Sequence, residues 1–523
     1  MKIIKSIQLK NFKKFKELSL DFNEDMNILI GDNEAGKSSI ILAIDLVLSG
    51  SKSKIETIGI DTLLNIESVN EFLKLPKKTI ADLPKMFAEL YFNEQNDHEL
   101  NGEINSRELE CDGLRLTCEP VEAYGKEINE ILKQPFQNFP YEYYSIKFTT
   151  FSDSAYSGYK RPLKHIVLDS SLINNEYATR EYIRSMYSFH TDVAEKNGHQ
   201  NEYRLHKTIF RDEKLNTLNA KLEKYKFLIK TNSKSNLESD LIITEDDIPI
   251  DQKGKGRQCF IKTEFALKKN DIKSALDLLL LEEPENHLSH INMKKLVQKI
   301  SESHKSQIFI ATHSNMICSR LDLRKAIMLG KIGSKPLLLN KLTKETADFF
   351  MKAPDNNILE FILSRKVILV EGDAEFILID ALYKSVIKDS TLEKDDIHVI
   401  SVGGTSFKRY MELASLLNIP TAIIRDNDKD HKKNCVENYV DYIKENIQVF
   451  YDKDDTRSTF EISIYLDNQV LLDTLWKDRR GTLSVQDYML ANKAEAALHI
   501  LETKKDEITA PKYITEAIEW IRR

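Results

Sequence analysis

The chain has 523 residues, and because single hydrophobic cores stop growing at about 250–300 residues, two or three domains are expected. Its 41% hydrophobic and 30% charged residues, with only 17 glycines and 12 prolines, exclude a disordered or fibrous protein. The net charge of −7 argues mildly against a general nucleic-acid binder, although net charge does not report how charge is distributed.

The amino-terminal pattern and the cysteines indicate the compartment. Residues 1–7 alternate like a first strand and lack a signal-peptide core, and no apolar run is long enough to span a bilayer. The five cysteines form no CxxC pair and are interpreted as buried thiols. We therefore expect a cytoplasmic protein without a membrane partner.

Residues 1–160 are predicted to form the first half of an α/β lobe. The strand patterns are Ile3 to Leu9, Met26 to Ile30, Phe87 to Phe92 and Tyr144 to Phe148. The loop 31–38, GDNEAGKS, follows the second of these and precedes an apolar-periodic helix, Ile40 to Leu48, with a helix stop near Gly50.

This loop has the features of a nucleoside triphosphate site. Its glycines let successive backbone N–H groups face the β-phosphate, Lys37 adds a charge toward the β- and γ-oxygens, and Ser38 offers a hydroxyl to Mg²⁺. The predicted nucleotide-binding residues here are Gly31, Asn33, Gly36, Lys37, Ser38 and Ser39.

Residues 161–245 are predicted to be a helical insert. Leu215, Leu218, Leu222 and Tyr225 fall at helical spacing among polar residues. Periodicity does not choose between a helix that packs on its own domain and a dimerisation arm.

The lobe resumes over residues 246–355. The strand pattern Leu278 to Leu281 ends in Glu282 and Glu283, where one acid can orient Mg²⁺ and the next can polarise the attacking water. The strand Gln307 to Ala311 precedes His313, which can reach a γ-phosphate. A glutamate pair alone is usually a solvated turn and a lone histidine usually structural, but strands aimed at a phosphate loop favour the catalytic interpretation.

These motifs resemble those of ATP-binding-cassette ATPases of the SMC and RecF type. The resemblance makes the loop 31–38 the Walker A loop, Glu282 the Walker B acid in place of the usual aspartate, Glu283 the catalytic glutamate and His313 the switch histidine. Residues 253–258, KGKGRQ, resemble a signature loop that departs from the usual Leu-Ser-Gly-Gly-Gln. The resemblance assigns Gly254, Gly256 and Gln258 to a γ-phosphate held by a second protomer, and so implies a homodimer or higher homo-oligomer.

A second βαβ pattern begins at about residue 364, after a boundary proposed at 355–365. Its strand patterns are Val367 to Val370, Ile397 to Val402 and Thr421 to Arg425. The first ends at Glu371, and the third ends in Asp426 and Asp428, which places hard oxygen ligands at the carboxyl edge of a parallel sheet. An acidic surface turn is the ordinary alternative, and the pairing of two strand ends disfavours it.

This arrangement resembles the Toprim fold, whose Glu and Asp-x-Asp bind Mg²⁺. A cassette ATPase followed by Toprim resembles the OLD (overcoming lysogenization defect) family of nucleases, some of which are anti-phage effectors, including ones encoded beside retrons. By this resemblance, Glu371, Asp426 and Asp428 hold one Mg²⁺ or Mn²⁺ ion, Glu375 and Glu461 hold a second, and Lys493 neutralises charge that develops on the phosphate. An exposed helix lysine is the alternative for Lys493.

The sequence therefore predicts an α/β protein in which an ABC-type ATPase lobe with a helical insert precedes a Toprim domain at 364–523. The leading function is an ATP-regulated, metal-dependent DNA endonuclease in anti-phage defence, with a reverse transcriptase and its DNA product as further partners if a retron encodes it. The basic residues placed near the carboxylates for DNA are Lys429, His431, Lys432, Lys433, Lys477, Arg479 and Arg480. The alternative is a non-nucleolytic ATP-driven repair or recruitment switch with Toprim as a binding module. Strand passage or primer synthesis is disfavoured, because no tyrosine-nucleophile domain or cysteine zinc module is evident.

Overall fold

The structure is a computed structural model that describes residues 2–93, 96–134, 138–157, 163–172, 176–222, 226–230, 237–267, 277–302, 306–330, 335–353, 357–404, 406–477 and 483–523. The chain forms two compact units, one of residues 1–313 with 327–336 and one of residues 314–326 with 337–523. Within the described ranges, no helix has the length and apolarity needed to cross a bilayer. All five cysteines are buried and free, which confirms their interpretation as buried thiols.

The strands, in chain order, are β1 (Ile4–Phe12), β2 (Phe15–Asp21), β3 (Met26–Ile30), β4 (Met86–Phe92), β5 (Asn101–Gly102), β6 (Cys111–Pro120), β7 (Tyr144–Thr150), β8 (His165–Asp169), β9 (Thr244–Glu245), β10 (Ile248–Pro249), β11 (Leu278–Glu282), β12 (Gln307–Ala311), β13 (Ala326–Met328), β14 (Leu337–Leu338), β15 (Lys366–Val370), β16 (Ile397–Ser401), β17 (Thr421–Ile424) and β18 (Ile447–Phe450).

The helices, in the same order, are α1 (Lys37–Ser49), α2 (Lys52–Ile58), α3 (Ile60–Leu63), α4 (Ile66–Lys74), α5 (Gly125–Leu132), α6 (Glu176–His190), α7 (Val193–Phe210), α8 (Asn216–Asn219), α9 (Lys255–Leu267), α10 (His290–Ser301), α11 (Asn315–Arg320), α12 (Lys344–Lys352), α13 (Ile358–Leu363), α14 (Asp373–Val386), α15 (Phe407–Leu417), α16 (Phe460–Asp467), α17 (Gln469–Leu475), α18 (Val485–Ala491), α19 (Lys493–Lys504) and α20 (Lys512–Arg522).

Among the described residues, the first unit contains two large sheets and the small antiparallel pair β10-β9. One large sheet is antiparallel, with strand order β2-β1-β4-β6-β5 and β7 beside β6. In β1 of this sheet, Ile7 and Leu9 are buried whereas Lys10 is exposed, as expected for a strand with one face on the core. The other sheet contains the order β13-β3-β12-β11-β8, and β3, β12, β11 and β8 are parallel neighbours. Adjacent parallel strands end at the same edge, so the loops after β3, β12 and β11 lie side by side.

The helix after the phosphate loop ends where the sequence predicts. Gly50 follows α1 with φ 55, and its N–H donates to the carbonyl of Leu46 at 3.2 Å. Glycine adopts this left-handed conformation at little cost, which is why it commonly ends helices.

The predicted insert differs from the structure in two places. His165–Asp169 forms β8, which pairs in parallel with β11 and so belongs to the sheet that carries the loop 31–38. The predicted helix over 215–225 is helical only to Asn219, because the Asn219 side chain bonds to the backbone N–H and C=O of Phe227 at 2.8 and 2.9 Å and competes with helix continuation. Tyr225 lies outside the described residues.

The second unit is built on a four-stranded parallel sheet with order β16-β15-β17-β18. Its core includes the fully buried Tyr383, Ile464 and Ile514. The unit also takes in α12, which the sequence-based division at 355–365 leaves with the ATPase lobe. The reason is local contact, since the Thr343 hydroxyl donates to Glu412 Oε2 at 2.9 Å and the ring of Phe350 packs edge-on against Tyr410.

Candidate functional site

The phosphate loop is closed by its glycines and by Lys37. Gly36 has φ 97, and a Cβ atom there would lie 2.4 Å from the ring of Phe15, so the position requires glycine. The Nζ of Lys37 donates to the carbonyls of Gly31 at 2.7 Å and Asp32 at 3.1 Å. Burial lowers the pKa of Lys37 to about 8, against the opposing charges of nearby carboxylates. Of the remaining predicted contacts, Asn33 and Ser38 are exposed and Ser39 is half-buried.

Glu282 ends β11 beside the phosphate loop. Burial raises the pKa of its carboxyl, and a hydrogen bond with Ser38 acts in the opposite direction. The structure thus brings together the two side chains that the sequence predicts as Mg²⁺ ligands.

Glu283 and His313 lie at the same edge of the sheet. The Glu283 N–H donates to the carbonyl of Ala311 at 2.9 Å, and its Oε2 accepts from Asn286 Nδ2 at 2.7 Å. Burial and the charge of Lys37 lower the pKa of His313, which favours the neutral imidazole. A neutral ring nitrogen can donate a hydrogen bond to a phosphate or accept one from water.

Glu285 links the loop after β11 to the loop after β12. The sequence did not predict this role. Its Oε1 accepts from the Thr312 hydroxyl at 2.7 Å and from the His313 N–H at 2.8 Å. The only signal in the sequence was a third acid close to the glutamate pair, and such an acid is usually solvated.

The signature-like loop packs against the loop that follows β11. A Cβ atom at Gly256 would lie 2.1 Å from the carbonyl oxygen of His287, so only glycine permits this approach. Gln258 is buried, and its Nε2 donates to the carbonyls of Lys253 at 2.7 Å and Asp251 at 3.2 Å. The sequence assigns Gln258 to the nucleotide, whereas the structure places its amide inside the loop, where it holds the backbone. Gly254 is exposed.

A second group of predicted residues converges at the carboxyl edge of the parallel sheet in the second unit. Glu371 follows β15, Glu375 lies in the first turn of α14, Asp426 and Asp428 follow β17, Glu461 lies in the first turn of α16, and Lys493 begins α19. Two strand ends and three helix starts thus bring these six side chains to one edge of the sheet, where the sites of parallel sheets form.

Glu375 and Glu461 are buried and Asp426 is half-buried, and these three carboxylates form the less exposed part of this group. Burial, with the charges of Glu375 and Glu371, raises the pKa of Asp426 to about 8. Burial and the charge of Glu461 raise the pKa of Glu375 to about 7. The charges of Glu375 and Glu371 thus act on Asp426, as expected for carboxylates gathered at one edge of the sheet.

Lys493 supplies positive charge to these acids. Its Nζ lies 3.1 Å from Oε1 of Glu461, whose side chain is 3% exposed. Although burial opposes the charge, the neighbouring carboxylates raise the pKa of Lys493. The second oxygen of Glu461, Oε2, is buried without a hydrogen-bond partner, which suits a metal ligand.

Glu371 and Asp428 contact an arginine that the sequence-based analysis did not single out. The Arg425 guanidinium pairs with Oε2 of Glu371 and, at 2.7 Å, with Oδ2 of Asp428. In this arrangement no three His, Cys, Asp or Glu side chains of the described residues form a ready metal-ligand set. The predicted sharing of an ion by Glu371, Asp426 and Asp428 therefore requires the first and third of them to leave the guanidinium.

Asn427, between the two aspartates, holds the loop in place. Its Nδ2 donates to the carbonyls of Asp452 and Asp454 at 3.0 Å, and its Oδ1 accepts from the Lys429 N–H at 2.9 Å. This fully buried amide fixes where Asp426 and Asp428 emerge from the sheet.

The predicted basic residues divide by exposure. Lys429, Lys432, Lys433 and Lys477 are exposed, whereas His431 Nδ1 lies 3.0 Å from Asp455 Oδ1. Arg479 and Arg480 lie outside the described residues.

Two families match this chain. Residues 1–318 match the family described as AAA ATPase domain, and residues 362–428 match the one described as overcoming lysogenization defect protein-like, TOPRIM domain.

Individual relatives cover different shares of the chain. The DNA replication and repair protein RecF of Clostridioides difficile (strain 630) is 25% identical over 354 residues, which are 59% of this chain and 91% of that protein. Endonuclease GajA of Bacillus cereus (strain VD045) is 22% identical over 476 residues, 82% of this chain and 75% of that protein. The solved C-terminal region of the Xanthomonas campestris pv. campestris OLD protein is 23% identical, with a TM-score of 0.23, and the match covers 30% of this chain and 94% of that one.

Proposed function

The chain belongs to the family of AAA ATPase domains and carries an OLD-like TOPRIM domain in its carboxyl-terminal unit, and on this premise we propose that it is an ATP-regulated, divalent-metal-dependent DNA endonuclease. The observation that carries the proposal is the juxtaposition of Asp426, Glu375 and Glu461 with Lys493. The endonuclease named among the relatives supports the same activity.

The residues of the carboxylate site fit a divalent cation. Asp426 and Glu375, whose pKa values are raised, and Glu461, one of whose oxygens lacks a hydrogen-bond partner, would supply hard oxygen ligands to Mg²⁺ or Mn²⁺ after closing around it, with Glu371 and Asp428 adjacent. When bound, such an ion polarises the phosphate and lowers the pKa of water.

The other side chains position the DNA phosphate. Lys493, half exposed and paired with Glu461, directs positive charge toward a phosphate that faces the carboxylates. The exposed Lys429, Lys432 and Lys433 follow the aspartates along the chain and supply attraction for the backbone. Asn427 keeps the carboxylates of its loop at fixed positions.

In the first unit, ATP is held by Lys37, Ser38 and the loop glycines, with Glu282 beside Ser38. Glu283 and His313 are placed to orient water and contact the γ-phosphate. We assign DNA and a second copy of the chain as partners and anti-phage defence as the role.

Cleavage of supercoiled plasmid tests the proposal. Purified protein is incubated with Mg²⁺ or Mn²⁺, with and without ATP, and compared with Asp426→Asn and Lys37→Ala. We expect Asp426→Asn to abolish cleavage at every nucleotide concentration and Lys37→Ala to change only its dependence on ATP. Asp430→Asn is the matched control, because Asp430 lies in the same loop, is exposed, and its side chain accepts only a local hydrogen bond from the Lys433 N–H among the described contacts.

The opposite result favours the alternative. Folded wild-type protein that cleaves DNA under no metal or nucleotide condition would leave an ATP-driven recruitment switch as the better description.

A further inference from the structure

Arg425 places a buried positive charge beside the carboxylate site. Its backbone N–H donates to the carbonyl of Phe450 at 3.0 Å, which anchors it at the end of β17. Its side chain is 7% exposed. An arginine remains protonated under all ordinary conditions, so this charge cannot be removed by loss of a proton.

The guanidinium is shared between two of the predicted metal ligands. One nitrogen pairs with Glu371 and another with Asp428, as the forked guanidinium geometry allows. Lys493 pairs with Glu461, which Arg425 does not contact among the described ion pairs. Among the described ion pairs, neither Asp426 nor Glu375 contacts Arg425 or Lys493. Arg425 thus pairs with Glu371 and Asp428, and Lys493 pairs with Glu461.

We propose that Arg425 is an internal cation that competes with a divalent ion for Glu371 and Asp428, and that it thereby sets the affinity of the site for metal. The inference rests on the proposed function, since it assumes that these carboxylates bind a divalent ion. It follows because an ion that recruits Glu371 or Asp428 must break a charge-assisted hydrogen bond to Arg425.

The two contacted acids differ in how easily they can be released. The side chain of Asp428 is 50% exposed, whereas that of Glu371 is 25% exposed. Exposure to water weakens an ion pair, so Asp428 exchanges Arg425 for a metal ion more readily than Glu371 does. Arg425 is a positioning residue in this scheme and contacts no reacting atom.

Calorimetric titration of Mn²⁺ into the nucleotide-free, full-length protein tests the inference. Arg425→Met keeps much of the side-chain volume and removes the charge, and we expect its Mn²⁺ affinity to rise by about tenfold, a common size for coupling between competing ligands. Arg425→Lys keeps the charge and loses the fork, so a smaller increase is expected.

Arg365→Met is the matched control. Arg365 is an arginine of the same unit that pairs with Asp396 just before the starts of β15 and β16, so it lies at the edge of the sheet opposite the carboxylate group. Its replacement removes an arginine–aspartate contact of the same unit, so its Mn²⁺ affinity should match the wild type. Equal or weaker Mn²⁺ binding by folded Arg425→Met overturns the inference. If Arg425→Met does not fold, the same outcome for Arg425→Lys overturns it.

The titration also separates this inference from the proposed function. If the wild type binds no Mn²⁺, or if Asp426→Asn binds Mn²⁺ as the wild type does, both the inference about Arg425 and the proposed function fail. If that binding is present and the wild type cleaves DNA, but Arg425→Met binds Mn²⁺ as the wild type does, only the role of Arg425 is refuted.

Discussion

Thr312 donates its hydroxyl hydrogen bond to Glu285, with 2.7 Å between Oγ1 and Oε1. The same carboxylate oxygen holds the His313 N–H, so Glu285 fixes the backbone from which the histidine projects. Glu285→Ala should lower ATP turnover by about 100-fold, since small misplacements of a catalytic group cost this much. Fluorescent nucleotide binding should change little, because the phosphate loop is intact.

Phosphate release and nucleotide binding are measured on the same preparations. Glu302→Ala serves as the control, because Glu302 is exposed and pairs only with Gln298 of its own helix among the described contacts. Normal turnover in Glu285→Ala would show that this carboxylate does not position His313.

Gly256→Ala should destabilise the first unit and slow ATP turnover. The added Cβ would meet the His287 carbonyl at 2.1 Å and push the start of α9 away from the loop after β11. Overpacking of this kind costs about 1–3 kcal/mol in the free energy of unfolding. Urea denaturation measures the change. Gly254→Ala is the control for stability, because no atom lies within 4 Å of its added Cβ. Equal stability of the two variants would contradict the contact.

Lys493→Met should reduce DNA cleavage by about 100-fold, a typical effect of removing a group that stabilises developing charge. Lys493 is half exposed but Glu461 is buried, so the variant leaves a buried carboxylate without its cation and should lose more stability than the about 1 kcal/mol that an exposed pair contributes. Cleavage rates under single-turnover conditions, with thermal unfolding in parallel, measure both effects. Lys512→Met, which removes a 91% exposed lysine of the same unit, should leave cleavage unchanged. A variant of Lys493 that loses stability but cleaves normally would indicate a structural role alone.

The carboxylate site should make the metal-free protein less stable as pH rises. Burial raises the pKa of Asp426 to about 8 and that of Glu375 to about 7, so the folded protein holds protons that the unfolded chain has released. This contribution to stability is complete below pH about 4, the unfolded value, and is lost as pH rises toward 8. We expect the free energy of unfolding to fall by at least about 1.4 kcal/mol over this range, the equivalent of a shift of one pKa unit.

Urea denaturation in EDTA between pH about 5 and about 8 checks this pH dependence. Asp426→Asn cannot titrate at this position, so its stability should decline less than that of the wild type, whereas Asp430→Asn should follow the wild type. If the free energy of unfolding falls equally with pH in the wild type and in Asp426→Asn, the pKa of Asp426 is not raised in the folded protein.

Local sequence patterns predicted the fold class and the family resemblance, and both are confirmed. The strands Met26–Ile30 and Gln307–Ala311 begin and end as predicted, because both are short apolar runs bounded by polar residues. The phosphate loop is contiguous in sequence, so its residue spacing was sufficient to identify it.

What could not be predicted depends on contacts between distant segments. Arg425 was seen as the end of a strand, and its partner Glu371 lies 54 positions earlier in the chain. Asn427 stood between two aspartates as a spacer, whereas its amide bonds to a loop 25 residues later. The start of α12 was assigned to the wrong compact unit because the carboxylate that fixes it, Glu412, is 69 residues away. The assignments of individual site residues stay predictions.

The four strands of the parallel sheet in the second unit, in the order β16-β15-β17-β18, all point the same way. The loops that follow these strands therefore lie at one edge of the sheet, and the loops that precede the strands lie at the opposite edge. In the nuclease proposed above, substitutions or insertions in the loops that follow the strands can change which nucleic acid binds without disturbing the buried sheet. Substitutions in the loops at the opposite edge affect the stability of the unit.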